Sequence, residues 1–361
     1  MKIAVLLSGG VDSSVALNLL KKEGHDITAF YLKIWLQDEF SFLGDCPWED
    51  DLNYAVGVCK LLNIPLEIMP LQTEYWETVV TYTIGEIKEG RTPNPDIFCN
   101  SLIKFGQFYD KIDDAFEKVA SGHYAEVLNS DGEFLLKRSP DPIKDQTYFL
   151  AYLTQKQLSR ALFPIGKYMK QEIRKFAHEF SLPNMDRKDS QGICFLGQIK
   201  FNDFIRHHLG DIKGDIIELE TDKKLGTHNG YYYYTIGQRS GLGLSGGPWY
   251  VVKKDIGNNI IYISRENFAD RAKDYFIAGN FNWISGKAPE GNEFQVKIRH
   301  GASFFNCKMR MLGENKAEVK IDRPDQGIAP GQFAVFYKGE ICLGGGVILD
   351  SPQAERDQLL T

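Results

Sequence analysis

The chain has 361 residues, of which 43% are hydrophobic and 25% charged, and its formal net charge is −6 at pH 7. This length allows two or three domains, and the composition is ordinary for a globular protein, with no repeat or low-complexity tract. The negative net charge does not by itself indicate a nucleic-acid-binding protein. The apolar run after Lys2 is short and ends at glycines, so we expect no signal peptide, and no apolar run is long enough to cross a membrane.

The first predicted elements are a strand, a turn and a helix. Residues 3–7 (IAVLL) form an unbroken apolar run that indicates a buried strand, and a helical apolar stripe follows from Val11 to Leu20. The string SGGVDSS at residues 8–14 joins the two elements. Such a junction directs backbone N–H groups and a helix N-terminus at one point, which suits a phosphate anion. The chain has no G-x-x-x-x-G-K-[ST] string, so this is not the loop that binds β- and γ-phosphates through a lysine.

Residues 8–13 instead resemble the pyrophosphate-binding loop (PP-loop) of the ATP pyrophosphatase superfamily. The resemblance implies an enzyme that cleaves ATP between the α- and β-phosphates and places AMP on a substrate oxygen. The alternative is an ordinary strand–turn–helix junction that is capped by serine and aspartate. The full string favours the nucleotide-binding loop.

Alternating strands and helices are predicted for the rest of the first 125 residues. Strands are predicted at 26–32, 66–71 and 118–120, and helices at 49–62, 74–88 and 102–116. This alternation indicates an α/β fold with a doubly wound parallel sheet and helices on both faces. Ligands of such sheets lie beyond the carboxyl ends of the strands, where residues 8–14, Leu32 and 121–122 are expected to converge. Residues 155–180 have a helical and basic pattern.

The sequence changes in character after about residue 205. Short β-prone segments lie at 231–235, 249–252, 260–264, 294–298, 308–311, 316–321, 333–337 and 343–349. Glycines punctuate this region, which indicates two small, mostly-β units with a boundary near residue 275. We therefore predict three domains, at 1–205, 206–275 and 276–361.

The string GLGLSG at residues 241–246 matches the dinucleotide fingerprint G-x-G-x-x-G. Its context is wrong for nucleotide binding, because no β–α–β unit surrounds it and Pro248 follows. We expect a flexible loop at this position and no nicotinamide cofactor.

Charge is unevenly distributed along the chain. Residues 37–51 carry six acidic side chains and no Lys or Arg, whereas residues 153–188 carry eight cationic and three acidic side chains. The basic segment is either a surface that contacts phosphates or a set of ordinary solvated helix faces, and the charge pattern alone leaves both possibilities open.

The cysteines are few and include no C-x-x-C pair: they are Cys46, Cys59, Cys99, Cys194, Cys307 and Cys342. This usage predicts individually placed thiols in a reducing cytoplasm, rather than a disulfide framework or a zinc ribbon. Cys59, Cys307 and Cys342 lie within element patterns and are expected to be inert buried thiols. Cys46, in an acidic loop, is not assigned to either class.

Two cysteines lie in segments that favour reactivity. Cys99 is in TPNPDIFCN (92–100) and Cys194 is in DSQGICFLG (189–197). We expect both cysteines in loops where the neighbouring residues are polar or are glycine or proline, because reactive thiolates occur in such loops. Asp96 lies three residues before Cys99, so a turn beginning there would direct both side chains into one pocket.

An ordered set of strings extends over nearly the whole chain: SGGVDSS (8–14), NPDIFCN (94–100), SGHYA (121–125), KDQTYFL (144–150), FPIGK (163–167), GICF (192–195), TIGQR (235–239) and APGQ (329–332). With these strings the chain resembles the bacterial-type tRNA-specific 2-thiouridylase family. One such string would be a weak signal, but the set in this order is specific. The resemblance implies a PP-loop adenylating domain that is followed by two small β units, of which the last is a tRNA-contacting β-barrel.

The resemblance also implies a reaction. ATP with Mg²⁺ would adenylate the C2 oxygen of the wobble uridine in tRNA, which turns a poor leaving group into a good one. Cys194 matches the position that carries a persulfide, received from a sulfur-relay protein or a cysteine desulfurase. Cys99 would resolve the remaining bond and leave a Cys99–Cys194 disulfide. Asp96 would act as general acid/base or hold the uracil edge, and Asp12 is a candidate magnesium ligand.

Binding residues are carried over from the resemblance in the same way. Those for the nucleotide are Leu6, Leu7, Ser8, Gly9, Gly10, Val11, Asp12, Ser13, Leu32 and Gly122. Those for tRNA are Asn94, Pro95, Asp96, His123, Lys144, Asp145, Gln146, Arg299, His300 and Gln332. Leu32 stands where the family usually has methionine, a volume-conserving change that should keep the apolar contact. His300 stands where a tyrosine is expected, which weakens the assignment of that contact.

Two other classes of protein fit part of the pattern. One is a different adenylating PP-loop enzyme, such as an amidotransferase-like or lysidine-forming enzyme, which would need neither Cys99 nor Cys194. The other is a non-catalytic RNA-binding protein with a degenerate nucleotide loop. The cysteine pair favours sulfur transfer.

Overall fold

The computed structural model of the protein describes residues 1–34, 48–189, 201–265, 273–325 and 327–349. Cys46, Cys194 and most of the acidic run at 37–51 lie outside the described residues. The helices are α1 (Val11–Lys22), α2 (Trp48–Leu62), α3 (Gln72–Tyr75, Trp76–Val80 and Thr81–Lys88, consecutive), α4 (Pro95–Phe98, Cys99–Gln107 and Phe108–Lys111, consecutive), α5 (Thr147–Leu150), α6 (Gln155–Arg160), α7 (Lys170–Glu179) and α8 (Phe201–Leu209). The middle stretches of α3 and α4 are π-helical.

The strands come from all parts of the chain. They are β1 (Lys2–Leu6), β2 (Asp26–Lys33), β3 (Leu66–Pro70), β4 (Lys118–Ala120), β5 (Ala125–Ser130), β6 (Glu133–Arg138), β7 (Ala161–Leu162), β8 (Gly214–Glu218), β9 (Lys224–His228), β10 (Tyr250–Asp255), β11 (Ile260–Ser264), β12 (Lys273–Trp283), β13 (Glu293–Lys297), β14 (Phe305–Met311), β15 (Lys316–Asp325), β16 (Phe333–Lys338) and β17 (Ile341–Ile348).

The first domain is built on a five-stranded parallel sheet in the order β3-β2-β1-β4-β7. β1 pairs with β2 on one side, with Leu6 opposite Phe30, and with β4 on the other, with Val5 opposite Ala120. The strand order reverses at β1, so a crevice forms beyond the carboxyl ends of β1 and β4. The predicted doubly wound α/β fold is confirmed, and the loop after β1 lies at its switch point.

Alternate side chains of β1 point into different cores, as a period of two requires. Ala4 and Leu6 pack in a cluster with α3 and α4. Ile3 and Val5 pack in a second cluster with α1, α2 and α7. The sheet therefore carries helices on both faces.

Two predicted helices have different bounds in the structure. The helix predicted at 102–116 begins at Pro95 and ends at Lys111, because Pro95 occupies the first helical position, where its missing N–H is not needed. The helical pattern predicted at 155–180 is interrupted by β7, and α6 and α7 lie on either side of it. Pro164 and Gly166 fall in this interruption, and neither favours a continuous helix.

A four-stranded sheet in the order β10-β11-β8-β9 forms the central unit. The strand predicted at 231–235 is wrong, because Tyr231–Tyr233 is a 3₁₀ turn. Gly230 precedes this turn at φ 143°, and the hydroxyls of Tyr232 and Tyr233 donate to the Gly210 carbonyl at 2.8 and 3.0 Å. The tyrosine hydroxyls thus hold the segment as a turn, which overrides the β propensity of the aromatic residues.

The C-terminal unit is a β-barrel. Its strands follow the order β12-β15-β14-β13-β16-β17, and antiparallel pairing of β12 with β17 closes the ring. Side chains along β14 alternate between buried and exposed, as in a strand with one face in a barrel core. The predicted C-terminal β-barrel is confirmed.

A hairpin that the sequence reading missed connects the first domain to the barrel. β5 and β6 turn at Asp131 and Gly132, both with positive φ, and β6 pairs with β17 through Leu136 opposite Cys342. The Asp-Gly dipeptide is the sequence signal for such a turn. No helix in the described part of the chain is long and apolar enough to cross a membrane.

Candidate active site

The loop between β1 and α1 presents open backbone N–H groups. The first turn of α1 begins at Val11, and its leading N–H groups have no partner within the helix. Gly10 precedes the helix and offers no side-chain cap. Instead the Ser13 hydroxyl donates to the Gly10 carbonyl at 3.0 Å and accepts the Ser8 N–H at 3.3 Å. The loop is therefore folded on its own hydroxyls and leaves the helix N-terminus available for an anion.

Neighbouring segments fix this loop from outside. Asn184 donates to the Gly9 carbonyl at 2.8 Å, and Arg187 donates to the same carbonyl at 3.1 Å. Arg187 also forms an ion pair with Asp51 at the start of α2. Gly9 has φ 76°, and a side chain there would overlap the Asp51 backbone carbonyl. Glycine is therefore required at this position for two independent reasons.

Gly122, which follows β4, lies directly against the first turn of α1. A Cβ atom at Gly122 would lie 2.7 Å from the Ser13 nitrogen and 2.9 Å from Asp12 backbone carbon. Any side chain at this position would push the helix start away or cover the Ser13 N–H. The predicted convergence of residues 8–14 and 121–122 is thus present in the structure.

The apolar residues that were predicted to bind the nucleotide lie at the same edge of the sheet as the loop. Leu6 and Leu7 end β1 and follow it, and both are buried. Leu32, near the carboxyl end of β2, is partly buried and packs on the same core as α4. Its half-open position suits an apolar contact with a ligand ring.

A charged network adjoins the loop. Lys170 donates to both carboxylate oxygens of Asp12, at 2.7 and 2.9 Å, and forms an ion pair with Asp189 at 2.8 Å. Tyr124 donates its hydroxyl to Asp12 at 2.9 Å. Burial and the Asp12 charge raise the pKa of Tyr124, so its hydroxyl stays protonated. Both oxygens of Asp12 thus accept hydrogen bonds, and the Lys170 ammonium balances its charge.

Asp189 contacts three cationic side chains. It is the last described residue before the segment that holds Cys194. Lys144 donates to it at 2.7 Å, Lys170 at 2.8 Å, and Arg174 forms a third contact. Burial opposes ionisation of Asp189, but the hydrogen bonds from Lys144 and Lys170 outweigh it and hold its pKa below the usual range. The basic segment predicted at 153–188 is therefore partly neutralised within the chain.

Sequence reasoning missed Tyr124, Lys170 and Asp189 as site residues. A signal was present for one pair, because Lys170 and Arg174 are four residues apart and so lie on one face of α7. Nothing in the sequence pattern indicated that this face is directed at Asp12 and Asp189.

Asp96 and Cys99 lie on one face of α4. Asp96 is in the first turn, and Cys99 follows three residues later, so the helix that begins at Pro95 supplies the turn that was expected. The prediction that Cys99 lies in a loop is wrong, because the helix continues through it and its side chain is 1% exposed. Asp96 is half-buried, and its Oδ1 has no hydrogen-bond partner among the described residues.

The other described cysteines are buried within regular elements: Cys59 in α2, Cys307 in β14 and Cys342 in β17. Burial raises the pKa of Cys59 to about 11 and those of Cys307 and Cys342 to about 12. The thiolate, which is the nucleophilic form, is therefore scarce at each of them near neutral pH.

A chain of hydrogen bonds connects α4 to residues 8–14, which we call the glycine loop. Asn100, next to Cys99, donates to the Phe149 carbonyl at 3.1 Å, and the Phe149 N–H donates to the Gln146 carbonyl at 3.0 Å. Gln146 accepts the Tyr124 N–H at 3.0 Å, and Tyr124 reaches Asp12 through its hydroxyl. A continuous run of hydrogen bonds thus joins the Asp96–Cys99 segment to the glycine loop.

Several residues that were predicted to contact tRNA are engaged inside the protein. The Asp145 side chain is fully buried in an ion pair with Lys297 of β13 at 2.9 Å and also accepts the Thr147 hydroxyl at 2.8 Å. His123 packs between the rings of Phe105 and Phe163, with its Nδ1 2.7 Å from the Ser121 hydroxyl. Both side chains are buried in this structure, and tRNA contact at Asp145 and His123 stays a prediction.

The remaining predicted tRNA residues lie nearer the surface. Lys144 is partly exposed, and Gln146 belongs to the hydrogen-bond chain described above. Arg299 is exposed and paired with Asp325 at 2.6 Å, and His300 is exposed and stacks on Phe149 with ring centroids 4.6 Å apart. Gln332 donates to the carbonyls of residues 92 and 93, just before Asn94 and Pro95.

Profiles of three protein families match consecutive parts of the chain. Residues 1–198 match the tRNA methyl transferase HUP domain, 202–265 the tRNA methyl transferase PRC-barrel domain, and 273–348 the aminomethyltransferase beta-barrel domain. The described residues contain no group of three or more His, Cys, Asp or Glu side chains that could hold a metal ion.

Curated relatives are similar over nearly the full length. A tRNA-specific 2-thiouridylase MnmA of Parabacteroides distasonis is 47% identical over 359 residues, which cover 97% of this chain and 99% of the relative. Relatives of the same description from Bacteroides fragilis and Porphyromonas gingivalis are 48% and 44% identical, over 96% of this chain and 100% and 99% of theirs. The profile names mention methyl transfer, whereas the relatives are named thiouridylases. The relatives carry more weight, because they span all three matched regions.

Two solved structures are similar to about half of the chain. The U34-tRNA thiolase NcsA from Methanococcus maripaludis is 17% identical with a TM-score of 0.34, covering 51% of this chain and 58% of that one. A 4-thiouridine synthetase in complex with RNA and bound ATP is 16% identical with a TM-score of 0.36, covering 55% and 45%. Similarity at this level establishes neither the fold nor the function of this chain.

The buried Asp145–Lys297 pair predicts a large loss of stability on removal of one partner. Lys297→Met leaves the Asp145 carboxylate buried without its main counter-ion, which should lower the free energy of unfolding by about 3–5 kcal/mol. Urea denaturation measures this loss. Lys308→Met is the control, since Lys308 pairs with Glu293 on the exposed barrel surface and should leave stability nearly unchanged. Equal stability of the two variants would contradict a buried pair.

His123 predicts a pH-dependent contribution to stability. Burial, aided by the Lys104 charge, holds the pKa of His123 well below its usual value, so the folded protein keeps the ring neutral. The contribution is present above the unfolded pKa of about 6.5 and is lost as the pH falls toward the folded value. Lowering the pH from 7.5 to 5.5 should destabilise wild type by about 1 kcal/mol more than His123→Phe. The exposed His178→Phe should follow wild type, and a wild-type profile parallel to that of His123→Phe would refute the assignment.

Proposed function

This chain belongs to the tRNA-specific 2-thiouridylase family, and we propose that it replaces the C2 oxygen of the wobble uridine in tRNA with sulfur, using ATP to adenylate that oxygen. The observation that carries the proposal is the hydrogen-bond chain that connects the glycine loop, through Tyr124 and Gln146, to the helix bearing Asp96 and Cys99. AMP is placed on the C2 oxygen and sulfur is added to C2 itself, so the anion-binding loop and the thiol have to act on the same carbonyl group and share a site.

The glycine loop is the proposed site for ATP. The open N–H groups at the start of α1 and the close approach of Gly122 form a cradle that suits phosphate oxygens. Leu6, Leu7 and Leu32 would provide the apolar side of the nucleotide site. Lys170 is placed to transfer one of its hydrogen bonds from Asp12 or Asp189 to a phosphate. Magnesium is proposed to arrive with ATP, and Asp12 remains its candidate ligand.

Asp96 is the proposed acid/base or uracil-holding group. One of its carboxyl oxygens is buried and has no hydrogen-bond partner among the described residues, so a donor that reached it would break no existing hydrogen bond. Asn94 and Pro95 precede it at the start of α4. The target base would leave its stack to reach this segment, as in other enzymes that modify a base.

Sulfur transfer requires two thiols in the proposed sequence. The terminal sulfur of a Cys194 persulfide attacks C2 and expels AMP, which leaves the base joined to Cys194 through a sulfur–sulfur bond. The Cys99 thiolate then attacks the Cys194 sulfur, that bond breaks, and its electron pair stays on the base as 2-thiouridine. A Cys99–Cys194 disulfide remains, and cellular thiols must reduce it. Because Cys99 is buried in the described structure, we propose that substrate binding exposes it.

The persulfide sulfur must come from another protein. We propose a sulfur-relay protein or a cysteine desulfurase as the donor, in the reducing cytoplasm. Buried, high-pKa thiols at Cys59, Cys307 and Cys342 would avoid side reactions with such a donor.

Gly122→Ala tests the ATP site. The added Cβ would cover or displace the Ser13 N–H, and loss of one such donor should weaken ATP binding by about tenfold or more. Titration calorimetry with ATP measures the affinity. Gly85→Ala is the matched control, because a Cβ at this exposed helical position meets nothing within 4 Å. Unchanged affinity in Gly122→Ala would exclude this cradle as the phosphate site.

Cysteine variants test the sulfur chemistry. Cys194→Ala and Cys99→Ala should each abolish 2-thiouridine formation, whereas Cys307→Ala should retain it, since Cys307 is buried in the barrel. Asp96→Asn should slow the reaction by about 10²–10⁴-fold. The readouts are mass spectrometry of the wobble nucleoside and AMP release, with tRNA from cells that lack the protein. Thiolation by Cys194→Ala would disprove the persulfide role, and methylation of the tRNA without AMP release would overturn the whole proposal.

A further inference from the structure

We propose that Asp141 is a positioning residue that holds two lysines of the site, Lys144 and Lys170, at a fixed separation. The inference rests on the proposed function, in which Lys170 donates to ATP and Lys144 is a predicted tRNA contact. Neither the sequence pattern nor the resemblance assigned a role to Asp141. Its carboxylate would set the distance between the ATP-binding and the tRNA-binding part of the crevice.

The Asp141 carboxylate accepts hydrogen bonds from three backbone N–H groups. Oδ1 accepts those of Ile143 and Lys144, each at 3.1 Å, and Oδ2 accepts that of Lys170 at 3.0 Å. Asp141 is 6% exposed, so these donors take the place of water around its carboxylate. Hydrogen bonds from N–H groups to a carboxylate are among the stronger ones in proteins. One buried side chain therefore connects two backbone segments that are far apart in the sequence.

Residues 141–145 form a turn that closes on Asp141. An aspartate that is followed by proline, here Pro142, is a sequence signature of such a turn. The Asp145 N–H donates to the Asp141 carbonyl at 2.8 Å, which closes the turn through the backbone as well. The backbone of Lys144 is therefore fixed on both sides, and only its side chain remains to be placed.

Helix α7 is bonded to Asp141 at its start. Lys170 is the first residue of α7, and the leading N–H groups of a helix have no partner within it. Met169 precedes the helix and makes no side-chain cap. Asp141 accepts the Lys170 N–H instead, and a negative charge suits the positive end of a helix. The hydrogen bond thus acts directly on the residue whose ammonium group lies at the site.

The side chains of the two lysines converge again at Asp189. Lys144 Nζ lies 2.7 Å from Asp189 Oδ2, and Lys170 Nζ lies 2.8 Å from Asp189 Oδ1. Asp141 at the backbone end and Asp189 at the ammonium end therefore close a ring of contacts around both lysines. Ordering a lysine side chain costs conformational entropy, and a fixed backbone separation leaves less to be ordered. Lys170 is thereby kept within reach of Asp12, 2.7 Å away, and of a phosphate at the glycine loop.

Asp141→Asn is the principal test, because it should break one connection and keep the other. The amide oxygen can still accept the Ile143 and Lys144 N–H groups, whereas the amide nitrogen is a donor and cannot accept that of Lys170. The opposite orientation of the amide would satisfy one donor in place of two. We expect the affinity for ATP, measured by titration calorimetry, to fall by about tenfold and that for tRNA to change less than about twofold, since misplacing a binding group by about 1 Å can have an effect of this size or larger.

Two further variants separate positioning from a general loss of structure. Asp141→Ala removes both connections and should weaken the binding of ATP and of tRNA. Asp113→Asn is the matched control and should change neither affinity: Asp113 also accepts the N–H two residues further on, that of Ala115 at 2.8 Å, but it is exposed and makes no hydrogen bond to α7 in the described part of the chain. A merely structural role would weaken both ligands equally in Asp141→Asn. That outcome, or an unchanged affinity for ATP, would overturn the proposal.

A double variant tests whether Asp141 acts through Lys170. Lys170→Met removes the ammonium group, so adding Asp141→Asn to it should cause little further loss of ATP affinity. Losses that multiply in the double variant would show that Asp141 acts by another route and would contradict the proposal.

Amide exchange measured by NMR tests the connection without turnover and without either ligand. In Asp141→Asn the Lys170 amide should exchange faster than in wild type while those of Ile143 and Lys144 stay protected, and in Asp141→Ala all three should exchange faster. Should Asp141→Asn unfold, Asp141→Ser keeps one oxygen for the turn and should give the same pattern. Full protection of the Lys170 amide in these variants would refute the connection. A wild-type protein that does not thiolate tRNA would instead refute the proposed function, and the exchange pattern would still decide the role of Asp141.

Discussion

The contact between Gly122 and the first turn of α1 is the constraint on which the site depends. It brings the carboxyl end of β4 against the loop that follows β1, at the point where the strand order reverses. Tyr124, two residues beyond Gly122, can then reach Asp12, and Gln146 can pair with the Tyr124 backbone. A larger residue at this position would separate the strand end from the helix, and the hydrogen bonds that lead on to α4 would lose their starting point.

The three parts of the chain form one functional unit. Separate family profiles match the three regions, but strong interactions cross between the first and the last. Asp145 is neutralised by Lys297 of the barrel, Tyr148 is bonded to Phe333, and Thr92 is bonded to Pro330. Each of these contacts lies within a few residues of a group with a proposed role in binding or chemistry. The barrel is therefore part of the frame of the site, in addition to any surface that it offers to tRNA.

Local sequence patterns predicted the start of the parallel-sheet domain. Elements whose conformation depends on residues far away in the sequence were missed or predicted wrongly. The apolar run of β1, the glycine loop and α1 were predicted correctly, because their signals lie within some twenty consecutive residues. The β5–β6 hairpin was missed although its Asp-Gly turn is visible, since its partner β17 is far along the chain. Tyr231–Tyr233 has strong β propensity, but hydrogen bonds to Gly210 hold it as a turn.

The same limit applied to the site. Asp96 and Cys99 were placed on one turn by their spacing, but polar neighbours suggested a loop where the structure has a buried helix. Nothing in the sequence around Asp145 indicated that its carboxylate would be buried in an ion pair with Lys297. Lys170 and Asp189 form ion pairs only because α7 packs beside α1. Pairing of charges over such separations depends on the completed fold.

The hairpin of the first domain has a consequence for biosynthesis. During translation β6 leaves the ribosome about 200 residues before β17, the strand on which it pairs. Until then the nascent chain carries an unpaired strand edge at β6, and Asp145 lacks Lys297. The order of synthesis therefore leaves the amino-terminal part with an unpaired strand edge, a feature that favours aggregation, until the last strands are made.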